Sequence, residues 1–375
     1  MSDIIHQLHV LSPTGGLLTI LTDSQLSSLD YGLKENEPGI LEFTLSPDFD
    51  LSFLPIDGQI EIYRSVGGGA MQLEGDTAWF IRKVDLVTDQ AGITAIHVLA
   101  KSAMDILDRR IVASYAGTSY TEKIAIKWDD LLREFVDENF GPGAADATRD
   151  LTPWLTIEAD TSTGANVTRS AAWREVLKTL QDIIAEVKGS GTYAAFDVVR
   201  TAPATFEFRV FFGARGTDHS ATGANPVIVS QERHNLSQPQ LSFDWEGEHN
   251  FIYALGQGEK SERVLQTAQD AARIGISPFN RQEFNRDARQ TELAASVLAE
   301  ANSALEQYRP KVNFTGYITQ TEGSLYGVHW NWGDIVTAEY KGLSFNCHLE
   351  AVEVSVLDNG TEIAQGFLRS TNDIR

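Results

Sequence analysis

The residues able to do chemistry are few and scattered. His6 and His9 stand three apart, a spacing that would set two metal ligands on one face of a helix. Ile4 to Val10 alternates as a strand does, however, and on a strand positions i and i+3 face opposite sides. Asp129, Asp130, Glu134, Asp137 and Glu138 crowd one segment, and paired carboxylates can do the acid/base work of a glycosidase. The plainer reading is the solvated face of a helix whose other face carries Trp128 and Leu131. Gly256-x-Gly258 lacks the third glycine and the βαβ setting of a dinucleotide site, and Gly67-Gly68-Gly69 reads as a loop tip. Cys347 has no His or Asn at a telling spacing and reads as a small buried or half-buried strand residue. The Asn-x-Ser/Thr sites at Asn166, Asn235, Asn313 and Asn359 carry no weight without a signal peptide, and Met1 to His6 does not start one. No catalytic residue, metal ligand or cofactor site is assigned, and no enzyme is expected. Trp330 and Trp332, two apart, would share one face of a strand and serve either a subunit contact or the core.

The elements that would position these residues are mostly strands. Ile40–Leu45 and Gln59–Arg64 alternate apolar and polar, and Trp79–Val87 with Ile93–Leu99 form a hairpin across the turn Thr88–Gly92. A short helix follows over Ser102–Arg110. Trp128, Leu131, Leu132, Phe135 and Val136 share a helix face that Gly141-Pro142-Gly143 ends. Trp173, Val176, Leu177, Leu180, Ile183, Ile184 and Val187 repeat the pattern up to Gly189-Ser190-Gly191. Strands resume at Tyr193–Val199, Phe206–Phe212, Leu236–Trp245 and Phe251–Gly256. Leu293, Val297, Leu298, Ala301 and Leu305 mark a helix that Pro310 ends. Val336–Tyr340, Phe345–Leu357 and Thr361–Leu368 close the chain as strands.

Composition narrows the function classes. The 375 residues allow two to four domains. With 30 basic against 52 acidic residues the net charge is −22, which excludes a tight nucleic-acid binder that must neutralise phosphates. A single cysteine forms no internal disulfide and no cysteine zinc site. No apolar run is long enough for a membrane helix.

One comparison within the chain carries more than any motif. Gly58-Gln59-Ile60-Glu61-Ile62 opens a strand, and a long hairpin follows through Val84–Val87, Asp89–Gly92 and Ile93–Ile96. Gly333-Asp334-Ile335-Val336 opens another, followed by a hairpin through Val352–Val356, Asp358-Asn359-Gly360 and Thr361–Ala364. The order of parts is the same. The expected fold is α+β, mainly β: two related small β-barrel domains with inserted α+β and helical domains. The boundaries are a first barrel over 1–110, an α+β insertion over 111–234, a second barrel over 235–262 and 311–375, and a helical insertion over 263–310.

With these parts in place the chain resembles the hub proteins of long-tailed phages, which are related to baseplate hubs and to the N-terminal region of tail-associated lysins. Phe80–Asp85 with Ala100–Arg110 resembles that family's first barrel and its exit. Asn250–Gly258 resembles the strand that re-enters the barrel region, and Tyr326–Val336 resembles the entry to the last barrel. The resemblance implies a structural homotrimer at the virion tail tip, assembled in the host cytoplasm. It would close the tail tube and adapt sixfold to threefold symmetry, opening for DNA ejection. Implied partners are a distal tail ring protein, the tape measure protein and a spike or fibre; DNA would pass the bore without specific binding, and no part would enter a membrane. The chain ends seven residues after Leu368, which would leave it a bare hub without a lysin domain. The alternatives are a cell-wall-degrading tail hydrolase and a receptor- or carbohydrate-binding tail module.

Overall fold

A computed structural model describes residues 4–88, 92, 94–113, 121–161, 163–189, 192–289, 294–357 and 360–373. The turn residues Asp89–Ala91 and Asp358-Asn359, the helix stop Ser190-Gly191 and Leu293 lie outside the described residues. Strand occupies 48 % of the chain and helix 17 %, so the expectation of a mainly β protein holds.

The N-terminal region forms eight strands: β1 Ile4–Leu11, β2 Leu17–Thr22, β3 Leu26–Lys34, β4 Glu37–Leu45, β5 Gln59–Val66, β6 Gln72–Leu73, β7 Trp79–Thr88 and β8 Thr94–Ser102. β1 pairs antiparallel with β2 and β5, β5 with β7 through Gln59↔Phe80 and Ile60↔Trp79, and β7 with β8 from Trp79↔Ser102 to Thr88↔Thr94. Period-two patterning sets the faces. Leu41, Phe43 and Leu45 of β4 and Ile96, Val98 and Ala100 of β8 point inward, each large side chain contributing roughly 1.5–3 kcal/mol of burial. Early in β4, beside β3, only a glycine fits. A Cβ on Gly39 would stand 2.5 Å from the Gly32 carbonyl, and the Gly39 amide donates to Ser102 Oγ at 2.8 Å.

The next stretch is mixed. It runs through α1 Asp105–Asp108, β9 Thr121–Lys127, α2 Trp128–Phe140, β10 Leu155–Ile157, β11 Asn166–Ala171, α3 Val176–Gly189, β12 Ala194–Ala202, β13 Thr205–Phe212, β14 Asp218–His219 and β15 Ile228–Ser230. The apolar stripe of α2 is buried as its spacing predicts. Trp173 departs from expectation: it precedes α3, takes φ +59° and is 64 % exposed. It belongs to the turn that leads into α3, not to the helix face.

The remaining elements are β16 Leu236–Asp244, β17 Phe251–Leu255, β18 Leu265–Gln269, α4 Ala271–Ile274, β19 Glu283–Asp287, α5 Ala294–Gln307, β20 Lys311–Thr319, β21 Ile335–Tyr340, β22 Leu343–Val356 and β23 Glu362–Asp373. The chain divides into two compact units. One comprises 1–185, 193–237 and 317–368; the other comprises 186–192, 238–316 and 369–375.

In the second unit β17 pairs antiparallel with β18 and parallel with β19. α5 packs Val297, Ala301, Ala304 and Leu305 against Ile252, Ala254, Ala268 and Ala288. The many alanines let helix and sheet approach closely. Leu298, expected on the buried face, is 38 % exposed.

In the first unit the strand order is β23–β22–β3–β4–β8–β7–β5–β1–β2, an open path. β21 pairs β22 antiparallel, and β22 pairs β3 from Ala351↔Lys34 to Val356↔Leu29. Thus β5–β7–β8 and β21–β22–β23 share one strand order, and the β3–β4 hairpin joins them by pairing β22 on one side and β8 on the other.

Candidate functional site

The first unit buries an ionic network. β1 and β5 place His6 directly opposite Arg64. Both reach Glu362, the first residue of β23. Arg64 Nε and Nη2 donate to the two Glu362 oxygens at 2.6 Å each, and His6 Nε2 lies 3.0 Å from Oε2. Gln320 Nε2 donates to Oε1 at 2.8 Å. Arg64 Nη1 donates to the Tyr326 carbonyl at 2.9 Å, and the Tyr326 hydroxyl donates to Glu74. Gly327 follows at φ +74°, where a Cβ would stand 2.4 Å from Arg64 Nη1.

Burial alone would raise the Glu362 carboxyl, but Arg64 and His6 outweigh it and hold the group at about 2. Burial opposes the Arg64 charge, yet Glu362 raises its pKa on balance. Glu74 goes the other way: burial pushes it up despite the Tyr326 hydroxyl and Arg64. Buried charges persist only when paired and hydrogen-bonded, and the Arg64–Glu362 pair meets that condition.

Arg64, Glu74 and Tyr326 of the network line a cleft of about 440 Å³ together with Arg215, Trp332 and Asp334. Arg215 lies 3.7 Å from the Trp332 ring centroid and donates twice to Asp197 Oδ2, at 2.9 and 2.7 Å. Asp334 accepts from the amides of Thr217 and Asn331 at 2.7 Å each, and burial raises its pKa on balance. The arrangement holds segments together, and its arginines are already committed to carboxylates.

The family model described as Siphovirus ReqiPepy6 Gp37-like protein matches residues 9–365. The chain belongs to that family. No curated protein matches it. The fold is that of solved phage tail proteins. A tail protein from Neisseria meningitidis MC58 is 12 % identical, with TM-score 0.55 over 98 % of this chain and 97 % of that one. The prophage tail protein gp18 from Listeria monocytogenes EGD-e is 11 % identical, with TM-score 0.51 over 100 % and 96 %. The prophage MuSo2 43 kDa tail protein from Shewanella oneidensis is 11 % identical, with TM-score 0.51 over 97 % and 98 %. The likeness read from the sequence is borne out in family and fold.

The residues singled out from the sequence fall in several places. Trp330 is fully buried, donates to the Ser324 carbonyl at 3.2 Å and packs on Tyr326; Trp332 is 6 % exposed under Arg215. Neither lies in a strand, so the shared strand face does not form; both are held in the segment that lines the cleft. His6 and His9 do sit on a strand. His6 enters the network and His9 packs on Tyr63 at 4.3 Å.

The acidic segment of α2 is not uniformly solvated. Asp129 is fully buried, takes the Gly164 amide at 2.9 Å and pairs with Arg133 at 3.0 Å. The Arg133 guanidinium also lies within 3.6 Å of Asp130 and Asp160, so it fills the centre of the one carboxylate cluster able to hold a metal among the described residues. Cys347 is buried in β22, which pushes its thiol up to about 12. No helix among the described residues is long and apolar enough to cross a membrane. Local periodicity could not reveal the Arg64–Glu362 network. Its only trace in the sequence is a charged residue at an inward position of an apolar strand.

Proposed function

We propose that this chain is the structural hub at the tip of a long phage tail. It acts as a homotrimer that closes the tail tube, meets a sixfold distal ring above and offers threefold symmetry to a spike or fibre below. It holds the end of the tape measure protein and opens for DNA ejection. The observation that carries this reading is the repeated strand order β5–β7–β8 and β21–β22–β23. Two related strand sets per chain become six around a threefold axis, which matches a sixfold ring without a change of fold. Closure of each set into a barrel, with 111–234 and 263–310 as insertions, belongs to the same proposal.

Charge supports it. The first unit holds 39 acidic and 19 basic residues, a net −20, while the second holds 13 and 11, a net −2. A bore lined by the acidic unit repels phosphate and lets DNA pass without sticking. The segment anchored by Trp330 and Trp332 meets a neighbouring subunit through Val328, its exposed side chain, at 55 %. The role is structural and the site is the virion tail.

The test is solution mass by light scattering together with binding to the distal tail ring protein. A trimer that binds the ring is expected. A chain that stays monomeric and ignores the ring overturns the hub.

A further inference from the structure

Two strands, one in each unit, leave an edge unpaired. Among the described residues β2 pairs only with β1, and β16 only with β20. Both edges are poor in charge: Leu17–Thr22 carries no ionisable side chain, and β16 carries one only at its last residue, Asp244. Both also carry exposed apolar groups. On β2 these are Leu17 and Ile20, at 56 % and 40 %. At the end of β16, Phe243 and Trp245 are 47 % and 50 % exposed, with rings stacked at 6.0 Å and 12°.

An unpaired edge is a template for another strand, and a chain that must stay single blunts its edges with charge. β7 shows that protection. Beyond Ile81 it pairs only with β8, and there it carries Arg82, Lys83 and Asp85. β2 lacks it, and on β16 Gln238, at φ +47°, and Pro239 interrupt the edge, leaving the uncharged Gln240–Phe243 able to pair.

We propose that the β2 edge of one copy takes the β16 edge of the next, extending the sheet from subunit to subunit. The occupant is a second copy because of charge and of the difference between the edges. At a net −22 per chain, two copies meeting through most other surface bring like charges together, whereas these edges meet without that cost. The two edges differ, so the contact is head-to-tail, and a head-to-tail contact that closes gives a ring. The proposal rests on the homotrimer of the preceding section and names the surface that builds it.

The test uses the full chain and two variants at exposed edge positions, Ile20→Lys and Ser242→Lys, with circular dichroism and melting temperature confirming that each folds. Light scattering across a concentration series should show the wild-type trimer, and each variant should dissociate at least about tenfold more readily. Mixing the variants should give a dimer that stops there, because one good β2 edge then meets one good β16 edge and the ring cannot close. A trimer that both variants leave unchanged overturns the edge contact while the hub reading stands. A wild-type monomer at every concentration overturns both the contact and the homotrimer. Folded variants that trimerise on mixing overturn the head-to-tail arrangement.

Discussion

Arg64 and Glu362 lie 298 positions apart and meet as a two-pronged ion pair inside the first unit, the Glu362 side chain having no exposed surface. A pair this deep is costly to break from one side, because the partner left behind is an unmatched buried charge. Glu362→Gln should lose about 3–5 kcal/mol in urea unfolding. The double variant Arg64→Met, Glu362→Leu should recover most of that loss. Equal losses in the single and double variants would contradict the pairing.

Acid should weaken the fold through the same carboxyl. Glu362 titrates at about 2 in the folded chain against an ordinary value of 4.5. A group lowered by folding stabilises above its unfolded value and loses that contribution as pH falls through the folded one. Stability should therefore drop between pH 4.5 and about 2, and the drop should be shallower in Glu362→Gln. Glu74, raised chiefly by burial, acts in the opposite sense and loses its contribution as pH rises above 4.5. Unfolding free energies of the wild type and Glu362→Gln, measured from about pH 2 to pH 7, check both signs.

Gly327 should resist substitution. Its φ of +74° is strained for any other residue, and the added Cβ would press on an Arg64 guanidinium that Glu362 and Tyr326 hold in place. Gly327→Ala should cost roughly 1–3 kcal/mol, read as a lowered melting temperature. A variant as stable as the wild type would show that the loop moves freely.

Cys347 should be silent towards thiol reagents in the native chain. Burial pushes the thiol up to about 12, so at pH 8 almost no thiolate is present, and the sulfur is enclosed by β22 and its neighbours. A chromogenic disulfide reagent should react with it only after denaturant is added. Stoichiometric labelling of the folded chain would overturn the burial.

Strands were legible wherever their burial follows from local alternation. β4, β5, β7 and β13 were found within a few residues because each has one wet and one dry face, or a dry run bounded by turn residues. α2 was found because Trp128, Leu131, Phe135 and their neighbours keep a helical period. The pairing of β22 with β3 was not legible, since it joins segments more than 300 residues apart and no local period encodes a partner. Asp129 was misread for a related reason. A carboxylate in the first turn of a helix looks solvated until the distant Thr163–Gly164 amides close over it.

The β3–β22 pairing also bears on when this protein can become itself. A nascent chain that has emerged only as far as β8 holds its central hairpin with one side open and Arg64 without its counter-charge. Completion must wait until residue 362 leaves the ribosome, so folding is late and dominated by contacts distant in sequence. A prematurely terminated product should remain a substrate for chaperones and proteases. Synthesis to the end then serves as an inspection step, keeping defective copies out of the tail.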